Sequence, residues 1–334
     1  MIRPDKGDKS TKQWVASLIS KIRKDKGERY EMSAGISSYP FRDYSKTEIV
    51  RNCQKALLHG SFFGPGSTVI FDSLSLNVSG DAYFSESDLS GAVREYRKGL
   101  DIDENDVNLL NSLGVTYALM NRTADAVSVF HKVIENDPRN FMALFNKGLG
   151  EKALKNYSAA VDSFTSALGS FNHKDIEETA VANDLRFQLG TCLYHLRNYK
   201  ECINVLKKWH RSAKDKAGSE KCFKYIGISY FYLDNMKQAA QWLQRGLAAN
   251  QSDAESLSLL GSIYLNSNEG DDIALKLCEK SVEIEPHNQS LKIRYGRALS
   301  ACLRLDEALE IFIFCTRFKS LRKEAWLERK GPRH

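Results

Sequence analysis

Thiols and imidazoles are the side chains most able to hold a metal or attack an electrophile, and this 334-residue sequence has seven of each. The cysteines are Cys53, Cys192, Cys202, Cys222, Cys278, Cys302 and Cys315. Their number is odd, no two form a C-x-x-C pair, and most fall on apolar helix faces. They read as reduced, buried thiols and not as a disulfide frame or a zinc site. The histidines are scattered, with no H-x-x-x-H or carboxylate spacing for a metal, so His195 and His210 read as surface or packing residues. No Gly-x-Gly-x-x-Gly, P-loop or Gly-x-Ser-x-Gly occurs. No catalytic residue, metal or cofactor is therefore expected, and the chain does not read as an enzyme.

Charge points the same way. A net charge of +6 is mild, and the basic tail around Arg317, Lys319, Arg322, Lys323, Arg329 and Lys330 reads as solvated. Nucleic acid is not an expected partner. Hydrophobic content of 42% with 27% charged residues is ordinary for a globular protein and excludes the disordered and membrane classes. Met1 to Lys12 is polar with no apolar core for a signal peptide, and no apolar run is long enough to span a bilayer. A cytoplasmic protein with no membrane partner is expected.

The elements that would position any functional side chain are set by a repeat. Gly80, Gly114 and Gly148 are 34 residues apart, and Gly190, Gly227, Gly261 and Gly296 continue the series at steps of 42, 37, 34 and 35. A small residue follows each by twelve or thirteen positions: Ala92, Ala126, Ala160, Cys202, Ala239, Ala274 and Ala308. Aromatic residues recur beside them, at Tyr83, Tyr117, Tyr230 and Tyr264 and again at Tyr96, Phe130 and Phe164. Pair four has Leu193 where the first tyrosine would fall, and Pro138 and Pro286 end their units. A period near 34 predicts paired helices stacked in an array, each unit covering its neighbour's apolar face. The longer steps place insertions near residues 175–182, around the charged run His173 to Thr179, and near residues 212–219.

The pattern large–x–x–Leu–Gly–x–x–Tyr followed by Ala, an aromatic and Pro resembles the tetratricopeptide repeat (TPR) family. The resemblance implies a mainly α fold, a right-handed α-solenoid of about seven TPR helix pairs over residues 73–322, followed by a basic tail at 323–334. It also implies a concave groove lined by the first helix of each pair, holding a protein or peptide partner. By position, that groove is expected to present Asn108, Asn111, Phe145, Lys152, Phe187, Tyr194, His195, Lys221, Lys224, Phe231, Tyr232 and Arg297. Rings beside lysines suit a ligand with an apolar anchor and an acidic group, although such rings also pack between helices. The clamp for a C-terminal carboxylate that some members carry is not expected, because Ile228 stands where an asparagine would be needed.

Residues 1–72 lie outside the repeat. Trp14, Leu18 and Ile22 form a helical row; Tyr30, Met32, Ala34 and Ile36 alternate as in a strand. A second helix has Ile49, Cys53, Ala56 and Leu57 on one face, and Thr68 to Phe71 forms a short second strand after the turn Gly64-Pro65-Gly66. Tyr30–Pro40 and Lys46–Asp72 resemble the closing half of a GGDEF (diguanylate cyclase) domain, through Ser33, Gly35, Pro40 and Ala56-Leu57. The family's Gly-Gly signature and metal-binding carboxylates are absent, so the resemblance implies a catalytically dead, partial α/β fragment. A truncated or split reading frame is expected on this basis, with an upstream cyclase half-domain as a further partner. A half-domain of this type exposes a strand edge. The sequence thus reads as a non-enzymatic TPR scaffold, with a cyclic di-GMP signalling protein lacking its catalytic half as the alternative.

Overall fold

The computed structural model describes residues 7–26, 31–170, 180–212, 221–267 and 270–316. The insertions expected near 175–182 and 212–219 fall largely outside these residues, as does the tail at 323–334. Among the described residues sixteen α-helices account for nearly all the regular structure, and two three-residue strands with two single-turn 3-10 helices supply the rest. The chain divides into two bodies, Met1–Ser170 and Phe171–His334.

The first body opens with α1 (Asp8–Lys26), β1 (Ala34–Ile36), α2 (Ile49–Gly60) and β2 (Thr68–Ile70). β1 and β2 pair in parallel, with Ala34 opposite Thr68 and Ile36 opposite Ile70, and α2 is the crossover between them. Three helix pairs follow: α3 (Ser73–Ser85) with α4 (Leu89–Ile102), α5 (Val107–Leu119) with α6 (Thr123–Asn136), and α7 (Phe141–Ala153) with α8 (Tyr157–Gly169). The second body holds four pairs. They are α9 (Ala180–His195) with α10 (Tyr199–Ser212), α11 (Lys221–Tyr232) with α12 (Met236–Ala249), α13 (Ala254–Ser267) with α14 (Asp271–Ile284), and α15 (Gln289–Ala301) with α16 (Leu305–Thr316). This is the α-solenoid architecture, preceded by a small α/β piece.

Each pair is closed by the same two devices. The first is close approach at the repeat glycine: a Cβ on Gly114 would lie 2.6 Å from the Phe130 ring, and one on Gly148 would lie 2.5 Å from the Phe164 ring. Only hydrogen at that position lets the second helix lay its large residue on the first. The small residue four positions earlier is buried in every pair, from Ala92 to Ala308. The second device is the corner. Ser87, Asn121, Lys155, Arg197, Asp234 and Leu303 have φ between 59° and 66°, and each lies seven residues after its glycine. Around them the amide of the following residue donates back to a carbonyl five residues earlier, as from Arg122 to Tyr117 at 2.9 Å. A left-handed residue inside such a bond satisfies the helix's last carbonyls. Pair six carries an extra residue, and Gly270, at φ 99°, stands directly before its second helix.

Pro138 and Pro286 fall two residues beyond the ends of α6 and α14. Leu193 fills the tyrosine slot of pair four and is buried. Stacking across pairs forms continuous cores, such as Tyr96, Leu109, Leu113, Tyr117, Phe130 and Ala143 in the first body. Successive first helices touch one another (α3 to α5 to α7, and α9 to α11 to α13 to α15), whereas successive second helices share no comparable contact among the described residues. The first helices are therefore the inner layer of each body.

The α/β piece docks on pair one. Phe41, Tyr44 and Phe71 form an aromatic trio with centroids 5.7–5.8 Å apart. Arg42 donates to the Asp101 and Ile102 carbonyls at 2.6 Å each, placing a cation at the C-terminus of α4. Lys55 pairs with Glu95 at 2.6 Å, both largely buried. One expectation for α2 needs correction. Its buried residues are Asn52, Ala56, His59 and Gly60, while Leu57 is 43% exposed. Gly35 explains this: a Cβ there would meet the backbone at Cys53 and Leu57, so β1 packs on the helix backbone itself and Leu57's side chain is turned outward.

Candidate functional site: the inner helix layer

The inner layer differs between the bodies. In the first body a cavity of about 280 Å³ lies between the first helices of pairs one to three, lined by Asp81, Phe84, Asn111, Val115, Met142 and Asn146 among others. Asp81 is held by the Tyr96 hydroxyl, which donates to it at 2.7 Å. Asn111 and Asn77 occupy the same slot in successive repeats, three residues before their glycines. The side-chain carbonyls of both are enclosed and have no hydrogen-bond partner. An unpaired enclosed carbonyl costs about 1–3 kcal/mol, so at Asn111, which lines the cavity, the arrangement favours a donor entering the groove. Asn108 is exposed at the start of α5, Phe145 is half-buried against Phe141 and Phe164, and Lys152 is half-buried in the last turn of α7.

In the second body the inner layer is aromatic and charged. Tyr194 and Tyr225 meet edge to face at 5.1 Å, and Phe187 packs between Trp209 at 5.1 Å and Tyr225 at 6.2 Å. Lys224 lies 3.6 Å from Asp253 and 5.5 Å from the Tyr225 ring centroid. Burial pushes the Glu255 carboxyl above its ordinary value of 4.5, with Lys224 and Arg294 pulling it back. Burial also raises the Tyr194 phenol, and the charge of Glu255 adds to the shift. Tyr232 is 49% exposed and stacks on Tyr199 at 5.0 Å. Phe231 packs against the core of Ile228, Leu243 and Leu259. His195, Lys221 and Arg297 are exposed.

The structure thus brings Phe187, Tyr194 and Lys224 together through Tyr225, while Phe187 and Phe231 serve packing. Tyr225, Asp253, Glu255 and Arg294 were not anticipated. Glu255 could have been: it lies six residues before Gly261, as Lys221 lies six before Gly227 and Asn108 six before Gly114. Asn77 follows from Asn111 by the same spacing. Among the described residues no group of His, Cys, Asp and Glu could hold a metal ion. Burial pushes the Cys202 thiol up to about 11 and the Cys278 thiol to about 12, which disfavours the reactive thiolate at both. No described helix is long and apolar enough to cross a membrane.

Comparison with known proteins places the fold. Residues 80–121 match a family model described as a TPR repeat, and residues 111–174 match one described as a tetratricopeptide repeat. Residues 80–174 thus carry tetratricopeptide repeats. Among curated proteins it is 24% identical over 100 residues to a peroxisomal targeting signal receptor of Kluyveromyces lactis, covering 30% of this chain and 18% of that protein. It is 19% identical over 256 residues to the BBSome complex member BBS4 of Bos taurus, covering 75% of this chain and 47% of that one. The chain therefore spans less than half the length of the curated relatives it matches. Among solved structures, YrrB, a TPR protein with an unusual peptide-binding site, aligns with 59% of this chain and 95% of its own at 18% identity and a TM-score of 0.48. PilF of Pseudomonas aeruginosa aligns with 68% and 96% at 17% identity and a TM-score of 0.49.

Proposed function

We propose that the chain is a non-enzymatic scaffold that holds an extended protein segment against its inner helix layer. The observation that carries this reading is the unpartnered side-chain carbonyl of Asn111 at the wall of an open cavity, repeated by that of Asn77 at the same position one repeat earlier. Backbone amides of an extended ligand supply donors at such sites whatever its side chains. In the second body, Tyr194, Lys221 and Lys224 offer an apolar anchor with a cation beside it, which suits an acidic residue in the partner. Each body offers its own stretch of that layer in this reading, Asn108, Phe145 and Lys152 in the first and His195, Tyr232 and Arg297 in the second, and the α/β piece acts as a cap without catalytic function.

The test is selection of linear peptides from a display library against the full chain. Selected peptides are expected to lose about five- to tenfold in affinity for a combined Asn77→Ala, Asn111→Ala variant, as the loss of one net hydrogen bond of about 1 kcal/mol predicts. A combined Tyr194→Ala, Lys221→Ala, Lys224→Ala variant should lose the preference for acidic residues. Unchanged binding by both variants would place the partner on another face.

The strand–helix–strand order of residues 34–70 favours one second reading, a role in cyclic di-GMP signalling with the catalytic half supplied separately. Incubation of the chain with GTP and Mg²⁺ should give no cyclic dinucleotide. Turnover by the chain alone would overturn the scaffold reading.

A further inference from the structure

The two-stranded sheet leaves one edge open inside a groove. The Ala34 amide donates to the Ser67 carbonyl at 2.8 Å, and the Phe71 amide donates to the Ile36 carbonyl at 2.7 Å. With Ala34 opposite Thr68 and Ile36 opposite Ile70, the parallel ladder uses the amides of Val69 and Phe71. The amides and carbonyls of Thr68 and Ile70 point away from β1, and no described group bonds to them. That edge borders a groove of about 930 Å³ along the whole run from Ser67 to Asp72. Its walls are Lys12 of α1 together with Phe41, His59, Phe63 and Ile102. Phe63 is 68% exposed and its neighbour Phe62 74% exposed, although each is large and apolar.

We infer that this groove takes up an extended segment of another protein, which adds to β2 as a third strand. An unpaired edge with two outward amide–carbonyl pairs is a template for a strand and for no other backbone conformation. The walls set the chemistry of the occupant. Four of them are rings or an apolar chain, if His59, held by Ser75 at 3.2 Å, is counted with the rings. Lys12 is the sole cation lining the groove and has no ionic partner among the described residues. The occupant is a mainly apolar strand with an acidic residue facing Lys12. A second copy of this chain does not fit, because its own β2 edge is recessed between the same walls, and two recessed edges cannot meet. The site is separate from the inner helix layer and does not depend on it.

The experiment combines peptide selection with residue-level amide exchange on the full chain. In the free chain the Thr68 and Ile70 amides should exchange far faster than those of Val69 and Phe71. Linear display-selected peptides that bind here should slow Thr68 and Ile70 specifically, with no effect of Lys224→Ala. Phe63→Lys, on an exposed side chain, should weaken those peptides about tenfold. Ile70→Pro removes one outward amide and leaves the ladder to β1 intact, so it should abolish their binding while circular dichroism is unchanged. Three results would overturn the inference: Thr68 and Ile70 already as slow as Val69 and Phe71 in the free monomer; their protection rising with chain concentration alongside a dimer; or no selected peptide sensitive to Phe63→Lys.

Discussion

The two bodies solve the same packing problem with different side chains. In pairs one to three the large residue laid on the repeat glycine is a ring, Tyr96, Phe130 or Phe164. In pairs four to six it is Leu206, Leu243 or Cys278, and the ring returns only with Phe312 in pair seven. The rings of the second body lie elsewhere, in the run of contacts from Trp209 through Phe187 and Tyr225 to Tyr194, and from His210 through Phe223 to Trp242. In pairs one and two, with the ring inside, the position three residues before the glycine is Asn77 or Asn111; in pair four, closed by Leu206, it is Phe187. Pair three carries rings at both places, Phe164 inside and Phe145 three residues before Gly148, and pair six carries none, with Cys278 and Ser258. The residue that closes a pair and the residue that faces the inner layer are thus chosen separately.

The largest expected effect is on the rings that close the first body. Phe130→Ala should destabilise by about 3–5 kcal/mol, read as a loss of protection of α5 and α6 amides and a lower denaturation midpoint. A cost below about 1 kcal/mol would mean that the ring is not what closes the pair. Next comes the exchange of one solution for the other. Leu243→Phe gives pair five the residue type of pair two and should cost about 1–3 kcal/mol through overpacking. The Leu243 backbone nitrogen already lies 3.0 Å from where a Cβ on Gly227 would sit, so the helices touch at this point and a larger side chain must push them apart. A neutral result would show that the two closures are interchangeable.

A smaller effect has the opposite sign. Leu303 holds the left-handed corner of pair seven and is 82% exposed, whereas Asn121 holds the same corner in pair two. Leucine is strained there, so Leu303→Gly should stabilise by up to about 1 kcal/mol, measured by chemical denaturation, while Asn121→Gly should change little. The smallest effect is that of Glu255. Its carboxyl is raised in the folded chain above 4.5, mainly by burial, so the folded state keeps the proton longer than the unfolded one. Stability should therefore fall as pH rises through the window that opens near 4.5, and Glu255→Gln should flatten that slope. An identical pH dependence for both chains would remove Glu255 from the charged layer.

Much of this was legible in the residues because the repeat constrains them. Seven glycines at a near-constant step, each followed by a small buried residue, suffice to place fourteen helices and their partners. The positions facing the inner layer follow from the same step, which is why Tyr194 and Lys224 could be named in advance. Their partners could not. Tyr225 is adjacent to Lys224 in sequence, and its joining of Phe187 to Tyr194 depends on how pairs four and five lean on each other. The left-handed corners were also hidden, since Ser, Asn, Lys, Arg, Asp and Leu occupy them in place of the glycine that would have marked them. In the α/β piece no period exists, and the exposure of Leu57 followed only from the approach of β1 at Gly35.

The corner of pair six carries a consequence of its own. Gly270 lies nine positions after Gly261 and directly before α14, whereas Asp88, Arg122, Asn156 and Asn235 hold that place eight positions after their glycines, and Ala274 and Cys278 still stay buried at the pair's contact. The added residue is thus absorbed between the two helices, and the buried contact is kept. Short tags or spacers grafted at that bend would ride on the protein without changing the spacing of the side chains that face a bound segment.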